Sequence, residues 1–71
     1  MINKRYVKSS NIEYVAYDEL KKELFVGFLN GHEYKYINVT HELYLKMLNA
    51  DSKGKFFHQY IEKFFTCIKI K

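Results

Sequence analysis

Residues 23–39, ELFVGFLNGHEYKYINV, predict two β-strands joined by a tight turn. β-Branched and aromatic residues, which favour extended backbone, flank Asn30-Gly31 on both sides. An Asn-Gly pair between two such runs is the strongest short-range signal for a hairpin, and a type I′ turn there needs positive φ at both residues. We therefore expect an antiparallel pair of strands with a type I′ turn at Asn30 and Gly31.

A third strand is predicted before this hairpin. Between Asn11 and Asp18 the side chains alternate with the period of two that is typical of a strand. The polar residues 18–22 connect it to residues 23–29, whose two faces both hold apolar side chains, so this segment should be the central strand. With the strand that follows the turn, His32 to Val39, the chain forms an antiparallel meander.

Two helices are predicted after the sheet. Thr40 can cap the first, and Asp51 or Ser52 can cap the second. The apolar stripe of the second helix consists of Phe57, Tyr60, Ile61 and Phe64. Residues 65–70 alternate again and can add a fourth strand at the sheet edge. The expected fold is α+β: a three-stranded antiparallel meander followed by two helices packed on one sheet face, with room for a fourth C-terminal strand.

The composition indicates one small globular domain. Of 71 residues, 48% are apolar and 28% are charged, and 7 Tyr and 6 Phe can bury large areas. We expect a single domain over residues 1–71, with its core between about 7 and 65 and an edge strand over 65–70. Cys67 is the single cysteine, which rules out an intrachain disulfide, and no apolar run is long enough to cross a membrane. We expect a cytoplasmic protein.

The net charge of +4 is unevenly distributed along the chain. Residues 1–10 carry +3, residues 11–50 carry −2 and residues 51–71 carry +3. Basic ends form one positive face if they meet in space, which would suit an anionic partner; the alternative is a solvated surface with a slight excess of lysine. The abundance of Lys, Asn, Ile, Tyr and Phe is typical of a low-GC bacterium or its phage.

The order of residues resembles the KTSC domain, which is found at the C-terminus of some lysyl-tRNA synthetases and as a small protein of its own. The centre of the resemblance is the Tyr34-Lys-Tyr36 motif after the turn, and the similarity extends from about Val7 to Phe65. Two positions depart from the family pattern, because Thr40 replaces a usual Pro and His58 a usual Asn. The further matching segments are Val7 to Ile12, Tyr17-Asp18, Leu24 to Phe28, Gly31, Val39, Tyr44, Ala50 to Gly54, Phe57 and Ile61. The resemblance implies a compact α+β domain, for which RNA binding has been suggested.

Enzymatic chemistry finds little support in the residues. His32, His41 and His58 lie on three different predicted elements and lack the spacing of a metal site. The three glycines are scattered, so no phosphate-binding glycine motif is present. Cys67 lies in the alternating tail and is interpreted as a small apolar filler. We expect a binding module without catalytic residues, metal or cofactor.

Nucleic-acid binding agrees better with the pattern. Tyr34 and Tyr36 share one face of a strand, where two rings can stack on bases, as in RNA-recognition sheets. Lys35 points to the other face, so the positive charge would come from Arg5, Lys8, Lys53 and Lys55. The alternative for the two tyrosines is that their rings pack beneath a helix.

Lys53-Gly54-Lys55 forms a second candidate site. If Ser52 caps the helix, free backbone amides, the helix dipole and two ammonium groups lie together, as in anion sites at helix N-termini. The ligand would be an RNA phosphate or another phosphate-bearing molecule. The alternative is a pair of ordinary solvated lysines.

A different class of function is also open. In each of the doublets Phe56-Phe57 and Phe64-Phe65 one ring should be buried, which leaves Phe56 and Phe64 as candidates for a protein interface. The chain would then be a phage or bacterial interaction protein that binds a host protein, or sequesters a small nucleotide, through the interface of a homo-oligomer. Stable assembly and little salt dependence would distinguish this hypothesis from RNA binding.

Overall fold

The computed structural model describes residues 3–71. Five strands form one antiparallel sheet, in which the spatial order follows the chain order. The strands are β1 (Arg5–Tyr6), β2 (Ile12–Asp18), β3 (Glu23–Phe28), β4 (Glu33–Ile37) and β5 (Cys67–Lys69). Two helices, α1 (His41–Leu48) and α2 (Lys53–Tyr60), separate β4 from β5 in the sequence. Both pack on the same face of the sheet, because Tyr44 of α1 stacks on Tyr17 and Phe57 of α2 contacts Tyr36.

The α+β class and the meander are confirmed, and the number of strands is corrected to five. β5 forms at the sheet edge, as predicted, and pairs with β4. β1 was not predicted. Both of its residues are exposed, so no alternation of apolar and polar side chains marks it in the sequence. Its extended backbone is held by pairing with β2, in the register Arg5 opposite Val15.

The turn between β3 and β4 differs from the predicted type I′. Only Gly31 has positive φ, at 94°, whereas Asn30 does not. The Gly31 amide donates to the Phe28 carbonyl at 2.9 Å, and the Phe28 amide donates to the His32 carbonyl at 2.8 Å. This is a three-residue loop with glycine in the left-handed position, the second common solution for a hairpin.

The alternation predicted for the third meander strand ends before Val39. Asn38 has φ 64°, and this left-handed residue rotates the chain so that Val39 becomes fully buried. Asparagine tolerates that conformation better than most residues. A register shift between Ile12 and Tyr14 has a related effect at the start of β2, because it brings Ile12 and Val15 to the same buried face.

The core lies between the sheet and the helices. The Thr40 hydroxyl accepts from the Leu43 amide at 3.1 Å and begins α1, as predicted. α1 contributes the buried residues Tyr44 and Met47, and α2 contributes Phe57. The core cluster consists of Ile12, Val15, Leu24, Val26, Tyr36, Val39, Tyr44, Met47, Phe57 and Ile61.

Candidate functional site

Two distant segments of the chain meet at the beginning of α2. A side chain at Gly54 would lie 2.8 Å from Asn11 Oδ1 and 3.5 Å from Ser9 Oγ, so the helix backbone lies directly against the loop before β2. Both segments, Val7 to Ile12 and Ala50 to Gly54, belong to the pattern that resembles the KTSC domain. No local signal in the sequence links the two segments, and only the tertiary structure brings them together.

The serine groove lies between these segments and has a volume of about 410 Å³. It is lined by Lys8, Ser9, Ser10, Asp51, Ser52 and Lys53. Its two lysines come from the basic N-terminal and C-terminal parts of the sequence, and they outnumber the single carboxylate, that of Asp51. The groove is therefore polar and carries a net positive charge, as an anionic ligand requires.

The wall formed by the loop is held by one serine side chain. Ser9 Oγ accepts from the amides of Asn11 and Ile12 at 3.3 and 3.2 Å and donates to Asn11 Oδ1 at 3.0 Å. These three bonds use the hydrogen-bonding capacity of the hydroxyl. The neighbouring Ser10 is exposed, and its hydroxyl has no such role.

The opposite wall is the start of α2. Ser52, rather than Asp51, is the N-cap, and its hydroxyl accepts from the Lys55 amide at 3.3 Å. Lys53 Nζ donates to the Ala50 carbonyl at 3.0 Å, which holds this ammonium group at the groove. Lys55 is exposed one step further along the helix. The structure thus brings Lys8, Lys53 and Gly54 together.

A second cavity, the asparagine pocket, adjoins the serine groove. It has a volume of about 350 Å³ and shares Ser10 with the groove. Its other lining residues are Asn11, Phe28, Leu29 and Asn30. The two cavities therefore meet at Ser10: the serine groove is charged, and the asparagine pocket is lined by apolar side chains and carboxamides.

An aromatic pair, of which Tyr60 is exposed and Phe56 is half-buried, extends the site along α2. Phe56 and Tyr60 are four residues apart on the helix, and their ring centroids are 4.7 Å apart. Lys53 precedes Phe56 by three residues, so groove and rings share one side of the helix. Tyr60 is 53% exposed, which corrects its assignment to the apolar stripe. Sequence periodicity could not separate Tyr60 from the buried Phe57 and Ile61, because all three fit helical spacing.

The predicted stacking role of Tyr36 is wrong. Tyr34 and Tyr36 do share a face, but it is the face covered by the helices. Tyr36 is 4% exposed and meets Phe57 edge-on at 5.3 Å, while Tyr34 is half-buried and meets Phe28 at 6.1 Å. Burial raises the pKa of Tyr36 well above its ordinary value, and Cys67 and Glu62 add to that effect. The Tyr-x-Tyr motif serves packing.

Arg5 lies away from the serine groove. With Asn3 and Lys4 it lines a cleft of about 390 Å³, whose other side includes Tyr17 and His41. The ring centroids of Tyr17 and His41 are 5.6 Å apart and nearly parallel. Arg5 therefore does not join Lys8 and Lys53, and the basic ends of the chain meet only in part.

The phenylalanine doublets divide only in part as the sequence suggested, because Phe56 and Phe65 are both half-buried. Phe57 is 1% exposed and Phe64 is 71% exposed. Phe64 lies beyond α2 and is open to solvent, whereas Phe56 is half-buried against Tyr60. Cys67 is exposed rather than buried, which corrects its interpretation as a filler.

A family model provides the identification. The model of the KTSC domain matches residues 8–65, most of the chain. The chain belongs to the KTSC family. It is also similar to the KTSC domain protein YPO2434 from Yersinia pestis, seen in a crystal structure, with 32% sequence identity, a TM-score of 0.94 and 100% of both chains covered. No curated protein sequence matches this KTSC domain.

Neither a metal-binding cluster nor a helix that could cross a membrane is present among residues 3–71. This part of the KTSC domain holds no group of three or more His, Cys, Asp or Glu side chains that could bind a metal ion. Neither of its helices, each 8 residues long, reaches the length and apolar character of a membrane span.

Proposed function

We propose that this KTSC domain binds single-stranded RNA and catalyses no reaction. The observation that supports the proposal is the meeting of two family segments in a basic groove, continued along α2 by the exposed ring of Tyr60. Single-stranded nucleic acids are held in this way, by cations along the backbone and by aromatic platforms under the bases.

The two parts of the ligand have separate binding groups in this proposal. Lys8 and Lys53 neutralise backbone phosphates in the serine groove, with Lys55 beside them. Tyr60, supported by Phe56, stacks on a base; such stacking is worth about 1–3 kcal/mol per base. Tyr36 has no direct part, because its ring is buried.

Salt-dependent titration tests the proposal. Labelled single-stranded RNA, duplex RNA and single-stranded DNA are titrated with the protein at about 50 and about 200 mM salt. We expect the tightest binding to single strands. In the Lys8→Ala/Lys53→Ala variant, the slope of log affinity against log salt should fall by about 1.4, because two phosphate contacts are lost.

Lys21→Ala/Lys22→Ala is the matched control. Both lysines are exposed in the turn after β2, and the length of that strand, about 20 Å, separates them from the serine groove. This variant has the same net charge as the groove variant and should bind RNA like the unmodified protein. An equal loss in both variants, or no binding at low salt, contradicts the proposal. Stable homo-oligomers without RNA binding would instead support the interaction-protein hypothesis.

A further inference from the structure

The asparagine pocket offers a chemistry different from that of the serine groove. At about 350 Å³ it falls at the small end of ligand pockets. Because it shares Ser10 with the groove, a ligand with its phosphate between Lys8 and Lys53 can place its next portion in this pocket. That portion of a nucleotide is the sugar and base.

The two carboxamides that line the pocket differ at their two ends: within residues 3–71, each oxygen is already bonded and each amino group is not. Asn11 Oδ1 accepts from Ser9 Oγ at 3.0 Å, and Asn30 Oδ1 accepts from the His32 amide at 3.0 Å. These bonds fix which end of each carboxamide is oxygen. The two amino groups, Asn11 Nδ2 and Asn30 Nδ2, have no hydrogen-bond partner among residues 3–71.

Apolar side chains complete the pocket. Leu29 is 58% exposed, and Phe28 is half-buried. The Phe28 ring packs edge-on against Phe57 at 5.7 Å and against Tyr34 at 6.1 Å, so its position is set by contacts with the core. A flat, partly apolar ligand group with acceptors at its rim fits this combination.

We propose that the asparagine pocket receives the base of an unpaired nucleotide and favours carbonyl-bearing bases, uracil above adenine. The inference rests on the proposed RNA binding and adds its base preference. Uracil presents carbonyl oxygens to the two amino groups. Adenine presents an amino group of its own, and the bidentate contact of asparagine with adenine needs both ends of the carboxamide. Here the oxygen ends of Asn11 and Asn30 already accept bonds from the chain.

Uridine and adenosine homopolymers of equal length test this preference. We expect uridine strands to bind at least about fivefold more tightly, the low end of what a good pair of base contacts provides. The deciding variant is Asn30→Ser. Serine keeps an oxygen that can accept from the His32 amide and so preserves the turn, but it removes the amino group. The preference should fall to about twofold or less, while adenosine affinity stays unchanged.

The Asn30→Ser variant also distinguishes a uridine preference caused by base contacts from one caused by strand flexibility. Uridine strands are more flexible than adenosine strands, and a preference caused by flexibility would survive Asn30→Ser. Asn49→Ser removes an exposed carboxamide from the end of α1 and should leave the preference intact. Equal affinity for both strands, or a preference unchanged in Asn30→Ser, overturns the inference and leaves the proposed RNA binding standing. If neither the uridine strand nor the adenosine strand binds, the base preference and the proposed RNA binding are both overturned.

Discussion

The ring of Tyr14 covers Gly27 on the neighbouring strand, on the sheet face opposite the helices. The two residues are paired across β2 and β3, and a methyl group on Gly27 would overlap the ring. Lys4 Nζ lies 4.4 Å from the ring centroid, and Tyr6 meets the ring edge-on at 5.7 Å. Tyr14 is consequently 4% exposed although no helix covers it.

The first prediction concerns this pair. Gly27→Ala should lower the free energy of unfolding by about 1–3 kcal/mol, because the added methyl displaces the ring. In a Tyr14→Ala background the same substitution should be neutral or stabilising, since alanine restricts the unfolded chain more than glycine. Urea unfolding of the four proteins in this double-mutant cycle measures the coupling. Equal effects in both backgrounds would contradict the contact.

The second prediction concerns the Tyr14 hydroxyl, which is buried without a hydrogen-bond partner in the structure over residues 3–71. Burial, with the nearby Glu33 carboxylate, raises the pKa of Tyr14 from 10.0 to about 12. Because the pKa of Tyr14 is higher in the folded than in the unfolded chain, its contribution to the free energy of unfolding is fully present below pH 10. This contribution is lost as the pH rises from 10 towards 12. Tyr14→Phe should therefore be at least as stable as the unmodified protein at neutral pH and lose less stability over that alkaline range. Urea midpoints at several pH values test this; a strongly destabilised variant at neutral pH would refute it.

Local sequence signals were enough for most of the fold and failed where tertiary contacts decide. β2, β3, β4 and both helices have clear alternation, helical spacing or capping residues. β1 has only two exposed residues, so its pairing with β2 could not be seen. The positive φ of Asn38 was equally hidden, because asparagine permits that conformation without requiring it.

The site was predictable in parts and not as a whole. Lys8, Lys53 and Gly54 were candidates from charge and helix capping, but their meeting depends on contacts between residues about forty positions apart. The alternation of residues correctly predicted that Tyr34 and Tyr36 share one face of the sheet. It contains no information on which face the helices cover. The sequence could not identify Tyr60 as a surface residue, because residues at the border of an apolar helical stripe can be exposed while those at its centre are buried.

The third prediction contrasts two tyrosines. Tyr36→Ala should destabilise the fold by about 3–5 kcal/mol, as expected for a large buried ring. Tyr60→Ala should change stability by about 0.5 kcal/mol or less, because its ring is on the surface. RNA affinity of the folded Tyr60→Ala variant should fall by at least about fivefold if the ring stacks on a base. Urea unfolding followed by circular dichroism measures the two stability changes, and RNA titration measures the affinity. Unchanged RNA affinity in Tyr60→Ala would exclude the stacking role.

The fourth prediction uses the one carboxylate of the serine groove. Asp51→Asn removes a negative charge that faces Lys8 and Lys53 and leaves the side-chain shape unchanged. Because the Asp51 carboxylate repels phosphate, removing its charge should strengthen RNA binding by about two- to fivefold at low salt and by less at high salt. Glu42→Gln, an exposed acidic residue in the first turn of α1, provides the matched charge change and should have a smaller effect. Weaker binding in Asp51→Asn would mean that phosphate does not enter the groove.

The fifth prediction concerns the contact that joins the two family segments. Gly54→Ala places a methyl group 2.8 Å from Asn11 Oδ1, so the loop at the serine groove must move. The helix propensity gained by replacing glycine is about 1 kcal/mol in a helix interior and less at this first-turn position, so it offsets only part of the lost packing. The free energy of unfolding should therefore change by about 1 kcal/mol or less. RNA affinity should nevertheless fall by about fivefold, since Ser9 lines the serine groove, Asn11 lines the asparagine pocket, and small displacements of positioned groups weaken contacts. Urea unfolding and RNA titration of the same variant separate the two effects. Loss of stability with unchanged affinity would show that this contact holds the fold and has no part in binding.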